Sequence, residues 1–431
     1  MSHRLLLGVA REDITPKIGS RIFGYNPHHI SEAIHDRLTA SAFAFECGGE
    51  RAMLITVSVC ELDTGLNAGL RGEIGKKHDL NPDSIIIAAT HTHSGPATVD
   101  MTGWGGMDME YFNEIFRPAV LSAADAAFSG LRPVTMGVGV GDSLVGVNRR
   151  ELKPDNRVVL GQCPWGCFNP KMTVLSFKDE SGSVVAAIVH YGAHGTAAGI
   201  TPFISRDWPG LMTDALDAVT GGISAFFNGP EGDVGPRLSN GLTVGNMSYV
   251  EELGRIAAQD AVRIFNTITD YRDVDVASVS AEVSLPLQPL IPYETAAARC
   301  EELSGQTINI GRQMLEYFRT VKSAHESGYQ EEPSRSFTQT AVRIGNIAFV
   351  SFPYELFSEI GLRVAQELPA LHVLSLSNAN GAMGYFPTQD QLCRGGYEIE
   401  CFLYNQVQAY TEDADYRLMR ETLCTLALLK K

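Results

Sequence analysis

The sequence predicts an α/β fold: a single large domain whose mixed β-sheet core is flanked by helices. Three observations lead there. Short apolar runs rich in β-branched residues are interspersed along the whole chain with segments of helical spacing. No low-complexity linker and no fixed-period repeat divides the 431 residues. Hydrophobic residues make up 44% and charged residues 19%, which is ample material for a sizeable core. Length alone allows two or three domains, but the interspersed pattern favours one unit over 1–431.

Taken in order, residues 8–23 read as a strand followed by a Gly/Pro-punctuated loop, and 40–45 and 53–59 as strands. Helical spacing over 62–78 leads into a strand at Ile85, giving a strand-helix-strand unit. Apolar positions three and four apart predict a helix over 109–131. Strands are expected at 135–147, 172–177 and 184–190, the last two joined by a hairpin turn at 178–182. A helix over 209–219, a strand over 223–227 and a long helix over 249–268 follow. Residues 274–287 alternate as a strand, and 293–330 read as helical with a polar content that places them outside. A hairpin near Asn346, a strand over 347–352, a helix over 355–368, a strand over 373–377 and a helix over 415–429 complete the chain.

The formal charge of −16, with no basic run, argues against nucleic acid and anionic membrane surfaces, which both require clustered Lys and Arg. No apolar run approaches the length of a membrane span, and the stretch after Met1 is too short for a signal peptide. These features place the protein in the cytoplasm. Several of the eight cysteines (Cys47, Cys60, Cys300, Cys424) fall in apolar-periodic segments as free thiols would. Cys163-Pro-Trp-Gly-Cys167 has neither redox nor zinc-knuckle spacing and reads as a loop.

The chemistry concentrates where strands end. In Ile85-Ile-Ile-Ala-Ala-Thr-His-Thr-His-Ser-Gly-Pro96 an apolar strand stops at two histidines; if the extended conformation persists through Thr92, His91 and His93 face one cavity. Read alone, such a pair is as easily two polar loop residues. His190 and His194 follow a second strand; Gly192 and Gly195 disfavour a helical zinc pair, which leaves His194 as the freer ligand candidate. The loop Phe227-Asn-Gly-Pro-Glu-Gly-Asp-Val-Gly-Pro236 demands a tight, exposed backbone path. Glu355 stands at a strand-to-helix junction, where the helix dipole alone would favour an acid. Tyr385 lies in the glycine-bearing loop after the strand over 373–377.

Individually none of these segments outweighs its ordinary structural explanation, but their order matches a family. Gly8-Val-Ala-Arg-Glu-Asp-Ile-Thr15, Ile34-His-Asp-Arg-Leu-Thr-Ala-Ser-Ala-Phe43, Ala89-Thr-His-Thr-His-Ser-Gly-Pro96, Asn148-Arg149, His194-Gly-Thr196, Gly232-Asp-Val-Gly-Pro236, Tyr354-Glu-Leu-Phe357 and Gly384-Tyr385 follow one another as in neutral/alkaline (non-lysosomal) ceramidases. The chain resembles the catalytic domain of that family over nearly its whole length. The resemblance implies a zinc-dependent amide hydrolase with one Zn²⁺ per chain, held by His91, His194, Glu355 and Tyr385. Tyr385 is an uncommon zinc ligand. By the same resemblance His93 steadies the carbonyl oxygen, and Arg149 shares in charge stabilisation. Tyr385 or His93 is the candidate proton donor to the leaving amine. Asp207 is implied as a residue that orients a ligand histidine; capping the following helix is the alternative.

Two departures bear on substrate. Gly235 stands where the family carries a serine, so a mechanism with that serine as nucleophile is excluded and a zinc-water mechanism survives. Residues 97–107 form a longer segment than in the family and insert Asp100 and Trp104 at the pocket edge. The chain also stops soon after Leu429, without the family's carboxyl-terminal sandwich domain. The expected substrate is a small soluble amide rather than long-chain ceramide. An ester or lactone on the same site, or a non-catalytic binding protein, are the rival readings, and a homo-oligomer is left open.

Overall fold

The structure, a computed structural model, describes residues 4–429. Residues 1–3, on which the reading of the amino terminus begins, lie outside the described residues. The architecture is mixed α/β, as expected. Its largest sheet has eight strands in the order Ile223–Asn228, Val184–Tyr191, Lys171–Asp179, Arg132–Asp142, Leu6–Asp13, Thr39–Cys47, Glu50–Val57 and Ile85–Ala89. The two outer pairs are parallel and the inner pairs antiparallel. Accumulated twist curls this sheet until its edges approach each other. Thr56 donates its hydroxyl to Phe226 O at 2.7 Å, and Asn228 Nδ2 donates to Thr90 O at 3.3 Å.

A four-stranded sheet, Val276–Pro286, Ser334–Ile344, Ile347–Ser351 and His372–Leu376, packs beside it. Phe227 joins the two: its ring lies 6.2 Å from Phe43 in the large sheet and 6.0 Å from Phe349 in the smaller one. Helices cover the outer faces. Thr64–His78 starts where Asp63 accepts hydrogen bonds from the amides of Gly65 and Leu66. Met247–Phe265 buries Val250, Leu253, Ala257, Ala261 and Ile264, the three-and-four spacing of one helical stripe. It lies directly on the strand Arg132–Asp142 because Gly139 has no side chain; a Cβ there would stand 2.8 Å from Ile264 O.

Three departures from the sequence expectations concern the strands and helices. The strand expected over 135–147 is two strands, Arg132–Asp142 and Gly146–Leu152, separated at Ser143, whose amide turns away to Pro170 O. The second strand belongs to a three-stranded sheet with Val158–Cys163 and Val234–Pro236. The helical stretch 293–330 breaks around Gly305 into Tyr293–Glu302 and Asn309–Ser327. These two are not wholly external, since Ala296, Met314, Tyr317, Phe318 and Val321 form an apolar cluster of their own. The helix over 109–131 runs to Ser129 but widens to a π-turn at Phe112–Phe116. Pro118 follows and has no N–H to give the preceding turn.

Candidate metal centre

The strand Ile85–Ala89 delivers His91, but not by staying extended. It ends at Ala89, and His91 takes the left-handed conformation, with φ 65. The expectation that an unbroken strand aligns His91 and His93 is therefore corrected: the backbone reverses between them. Thr92 then pairs with Gly195 in a parallel bridge, and His93 N donates to Gly195 O at 3.1 Å. The two rings still meet, with centroids 4.8 Å apart. The approach requires glycine at 195, where a Cβ would stand 2.9 Å from His91 O.

His194 arrives from the loop after Val184–Tyr191, and its ring centroid lies 4.5 Å from that of His91. His190 stays within the strand and binds Ser375 O through Nε2 at 2.9 Å, so the two histidines are not a pair. Asp207 does not touch the His194 imidazole. Its carboxylate accepts from the amides of Ala197, Ala198 and Trp208, while Trp208 Nε1 donates to His194 O at 2.9 Å. It thus ties the backbone that carries His194 and also holds the first turn of the helix Asp207–Thr220.

Glu355 and Tyr385 face each other across a two-residue parallel ladder, Glu355–Leu356 against Tyr385–Phe386. Glu355 is not in a first helical turn, since the helix begins at Ser358; the dipole explanation for an acid at this position does not apply. Its Oε2 lies 3.3 Å from His91 Nε2 and 3.0 Å from His194 Nε2. Tyr385 OH lies 3.4 Å from His194 Nε2, and His93 Nε2 lies 3.2 Å from His91 Nε2. Four predicted ligands and one predicted neighbour are thus brought to one buried point.

These donors fit a metal ion. His91 gives its Nδ1 proton to Cys60 O at 2.8 Å, and His194 gives its own to Glu231 O at 2.9 Å, so both turn an Nε2 lone pair inward. The ligand atoms of His91, His194 and Glu355 all fall within 4.8 Å of one another, and Oε2 of Glu355 meets no hydrogen-bond donor. Separations of 3.0 and 3.3 Å are close to the roughly 3.3 Å edge of a tetrahedron with metal bonds near 2.0–2.1 Å. Burial pushes the His91 ring down, but Cys60 and Glu355 outweigh it and hold it well above its ordinary value in the metal-free protein. Burial pushes the Glu355 carboxyl up, but His91 and His194 outweigh it and hold the group well below the usual carboxylate range. Burial, then Arg149 and His91, push His194 down to about 3. Burial and the two other histidines likewise hold His93 far below its ordinary value.

Arg149 reaches the cluster from the strand Gly146–Leu152. Its Nη2 donates to Tyr385 OH at 2.8 Å and its Nε to Glu398 Oε1 at 2.8 Å. Glu398 also takes Arg150 Nη1 at 2.7 Å. Nothing in the sequence singled out Glu398, because an acid in a short helix reads as a surface residue. Two further buried acids were missed. Glu61 stands in an otherwise apolar run, which is a legible sign, and its carboxyl lies against that of Glu355; burial first, then Glu355, push it up to about 8. Glu231, in the glycine-rich loop, accepts from Asn378 Nδ2 at 2.7 Å; burial pushes it up to about 8. At Gly235, a Cβ would stand 2.6 Å from the Thr243 side chain, so Thr243 fills the space a larger residue would need. Trp104 is buried edge-on against Tyr397, which in turn lies edge-on to Tyr385. Cys163 and Cys167 are free thiols, but the segment is not wholly a loop: Cys163 ends the strand Val158–Cys163.

Comparison with known proteins bears on family and fold. A family model described as neutral/alkaline non-lysosomal ceramidase, N-terminal, matches residues 5–244. Neutral ceramidase A of Dictyostelium discoideum is 28% identical over 254 residues, covering 53% of this chain and 35% of that protein. Neutral ceramidase of Pseudomonas aeruginosa is 24% identical over 249 residues, covering 54% of this chain and 37% of that protein. The matched segment is thus little more than a third of the length of these relatives. The crystal structure of neutral ceramidase from Pseudomonas aeruginosa superposes with a TM-score of 0.78 at 19% identity, covering 100% of this chain and 75% of that one. A structure of ceramidase complexed with C2 gives 0.76 at 18% identity, covering 99% and 75%. Fold and sequence together define a protein of neutral ceramidase-like, mixed α/β architecture. The chain belongs to the neutral/alkaline non-lysosomal ceramidase family.

Proposed function

We propose that this protein is a zinc-dependent hydrolase that cleaves the linear amide bond of a small soluble substrate, with one zinc held by His91, His194, Glu355 and Tyr385. The observation that carries the reading is the convergence of two inward Nε2 lone pairs and an undonated carboxylate oxygen at one buried point. Zinc bound there supplies Lewis-acid activation of water and of a carbonyl near neutral pH.

The chain's own groups do the rest. His93 gives its Nδ1 proton to Gly24 O at 3.1 Å, leaving Nε2 to take a proton from the attacking water. Protonated at Nε2, the same ring donates to the developing oxyanion and returns the proton to the leaving amine. Arg149 fixes the Tyr385 oxygen and adds positive charge to the pocket. The small-substrate part of the proposal rests on residues 97–106, whose Trp104 is packed onto Tyr397 beside the cluster.

The test is metal titration with activity. About one zinc per chain should restore hydrolysis of short-chain amides to metal-free protein. His91→Ala should lose both zinc and activity, and His93→Ala should keep zinc while turnover falls about 10²–10⁴-fold. Folded protein that ignores added zinc sinks the proposal. Turnover of long-chain ceramide alone sinks its small-substrate part.

A further inference from the structure

Beside the metal cluster lies a second feature that the hydrolytic reading does not use. A cavity of ≈ 270 Å³ is lined by Glu61, by residues of the 99–102 segment, by the Gln313 face of the helix Asn309–Ser327 and by the 404–407 segment. Glu61 is the shared wall: its carboxyl touches that of Glu355, and the residue also lines the cavity. Gly384, next to Tyr385, lines it as well.

The wall has a definite chemistry. Among the described residues, no Lys or Arg lines it; Asp100 and Glu316 do, the latter paired with Arg312 and Arg319 on its own helix. The amide oxygen of Gln313 is buried without a hydrogen-bond donor, and the buried Glu61 carboxyl has no partner beyond its contact with Glu355. Buried acceptors left without donors are costly, at about 1–3 kcal/mol each, so they mark where donors are to be brought in. Tyr317 and Tyr404, with ring centroids 5.2 Å apart, add aromatic surface to the same wall. The volume is just below the roughly 300–1,000 Å³ of pockets that enclose drug-sized ligands. That size suits one sugar ring and is too small for a long acyl chain.

Resting on the amide-hydrolase reading, we propose that this cavity receives the amine side of the substrate, and that this side is a hydroxyl-rich head group of monosaccharide size without negative charge. Its O–H and N–H groups would supply the donor that Gln313 lacks and a further partner for Glu61, the two tyrosines would stack on its C–H face, and Asp100 would disfavour anions. The scissile amide then lies at the Glu61 side of the cavity, next to Glu355.

Binding is read by calorimetry on the zinc-loaded chain, without reliance on turnover. The probes are N-acetylglucosamine, N-acetylgalactosamine and N-acetylmannosamine, against N-acetylhexylamine, which carries the same acyl group on an apolar amine. At least one amino sugar should bind at least tenfold more tightly than N-acetylhexylamine. Gln313→Leu should reduce that preference at least tenfold. Thr102→Val, at an exposed position that also lines the cavity, should reduce it in the same direction without disturbing the core. If N-acetylhexylamine binds as tightly as all three sugars, or if both variants keep the full preference, the proposal is overturned. Sugar binding without hydrolysis in the presence of zinc would instead count against the amide-hydrolase reading alone.

Discussion

Single residues at this site are held in states they would not adopt in water. His91 is a non-glycine residue at φ 65, a conformation that costs of order 1–3 kcal/mol and persists only where surrounding contacts impose it. Here the contacts are its amide to Val59 O and its ring to Cys60 O. Glu231 is the clearest titrating case. Burial pushes its carboxyl from an ordinary 4.5 up to about 8 in the metal-free protein. Its folded value is raised, so the stability it contributes is complete below about pH 4.5 and is lost as pH rises through about 8. Urea unfolding of metal-free protein should therefore show a midpoint that falls between pH 5 and 9, and Glu231→Gln should flatten that fall. An equal slope in the variant would assign the dependence to other groups.

At the scale of elements, the short helix Tyr397–Leu403 decides how the arginine pair is held. Glu398 on its first turn bridges Arg149 and Arg150, all three buried, and Arg150 Nη2 also donates to Gly395 O at 2.7 Å. Because Arg149 in turn holds Tyr385 OH, Glu398→Gln should lower turnover about 10–100-fold, the usual cost of losing a partner that orients a site residue. Zinc content should stay near one per chain by metal analysis; if zinc is lost as well, the arginine pair governs metal retention and not only orientation. This helix was not legible in the sequence, because it is too short to display a period. Longer elements were legible: the stripe of Met247–Phe265 and the apolar run of Ile85–Ala89 announce themselves. What the sequence could not convey is how such elements stop. The reversal at His91 depends on a bridge to Gly195, more than a hundred residues away, and the split of 135–147 depends on which strand each half finds as a partner. The candidate ligands were legible through their order along the chain, and Glu61 through the apolar run around it, whereas Glu231 and Glu398 were hidden because buried acids look like surface acids until their partners are known.

For the molecule as a whole, Phe227 is where the curled sheet and the smaller sheet share one core. Phe227→Ala should cost about 3–5 kcal/mol of stability, measured by urea unfolding with zinc in excess. It should also weaken zinc binding, since the next residue, Asn228, ties the strand end to Thr90 O just before His91. A loss below 1 kcal/mol would mean that the sheets hold together without this ring.

The candidate ligands come from residues 91, 194, 355 and 385, four segments that meet only when both sheets are in place. Such contacts are distant in sequence, and contacts of that kind form late and slowly. A chain emerging from the ribosome carries its two histidines long before it carries Glu355 and Tyr385. During that interval the nascent protein offers metal only an incomplete set of donors. Assembly of the proposed metal site therefore waits for Glu355 and Tyr385, and a chain that stalls before Glu355 lacks two of its four candidate ligands.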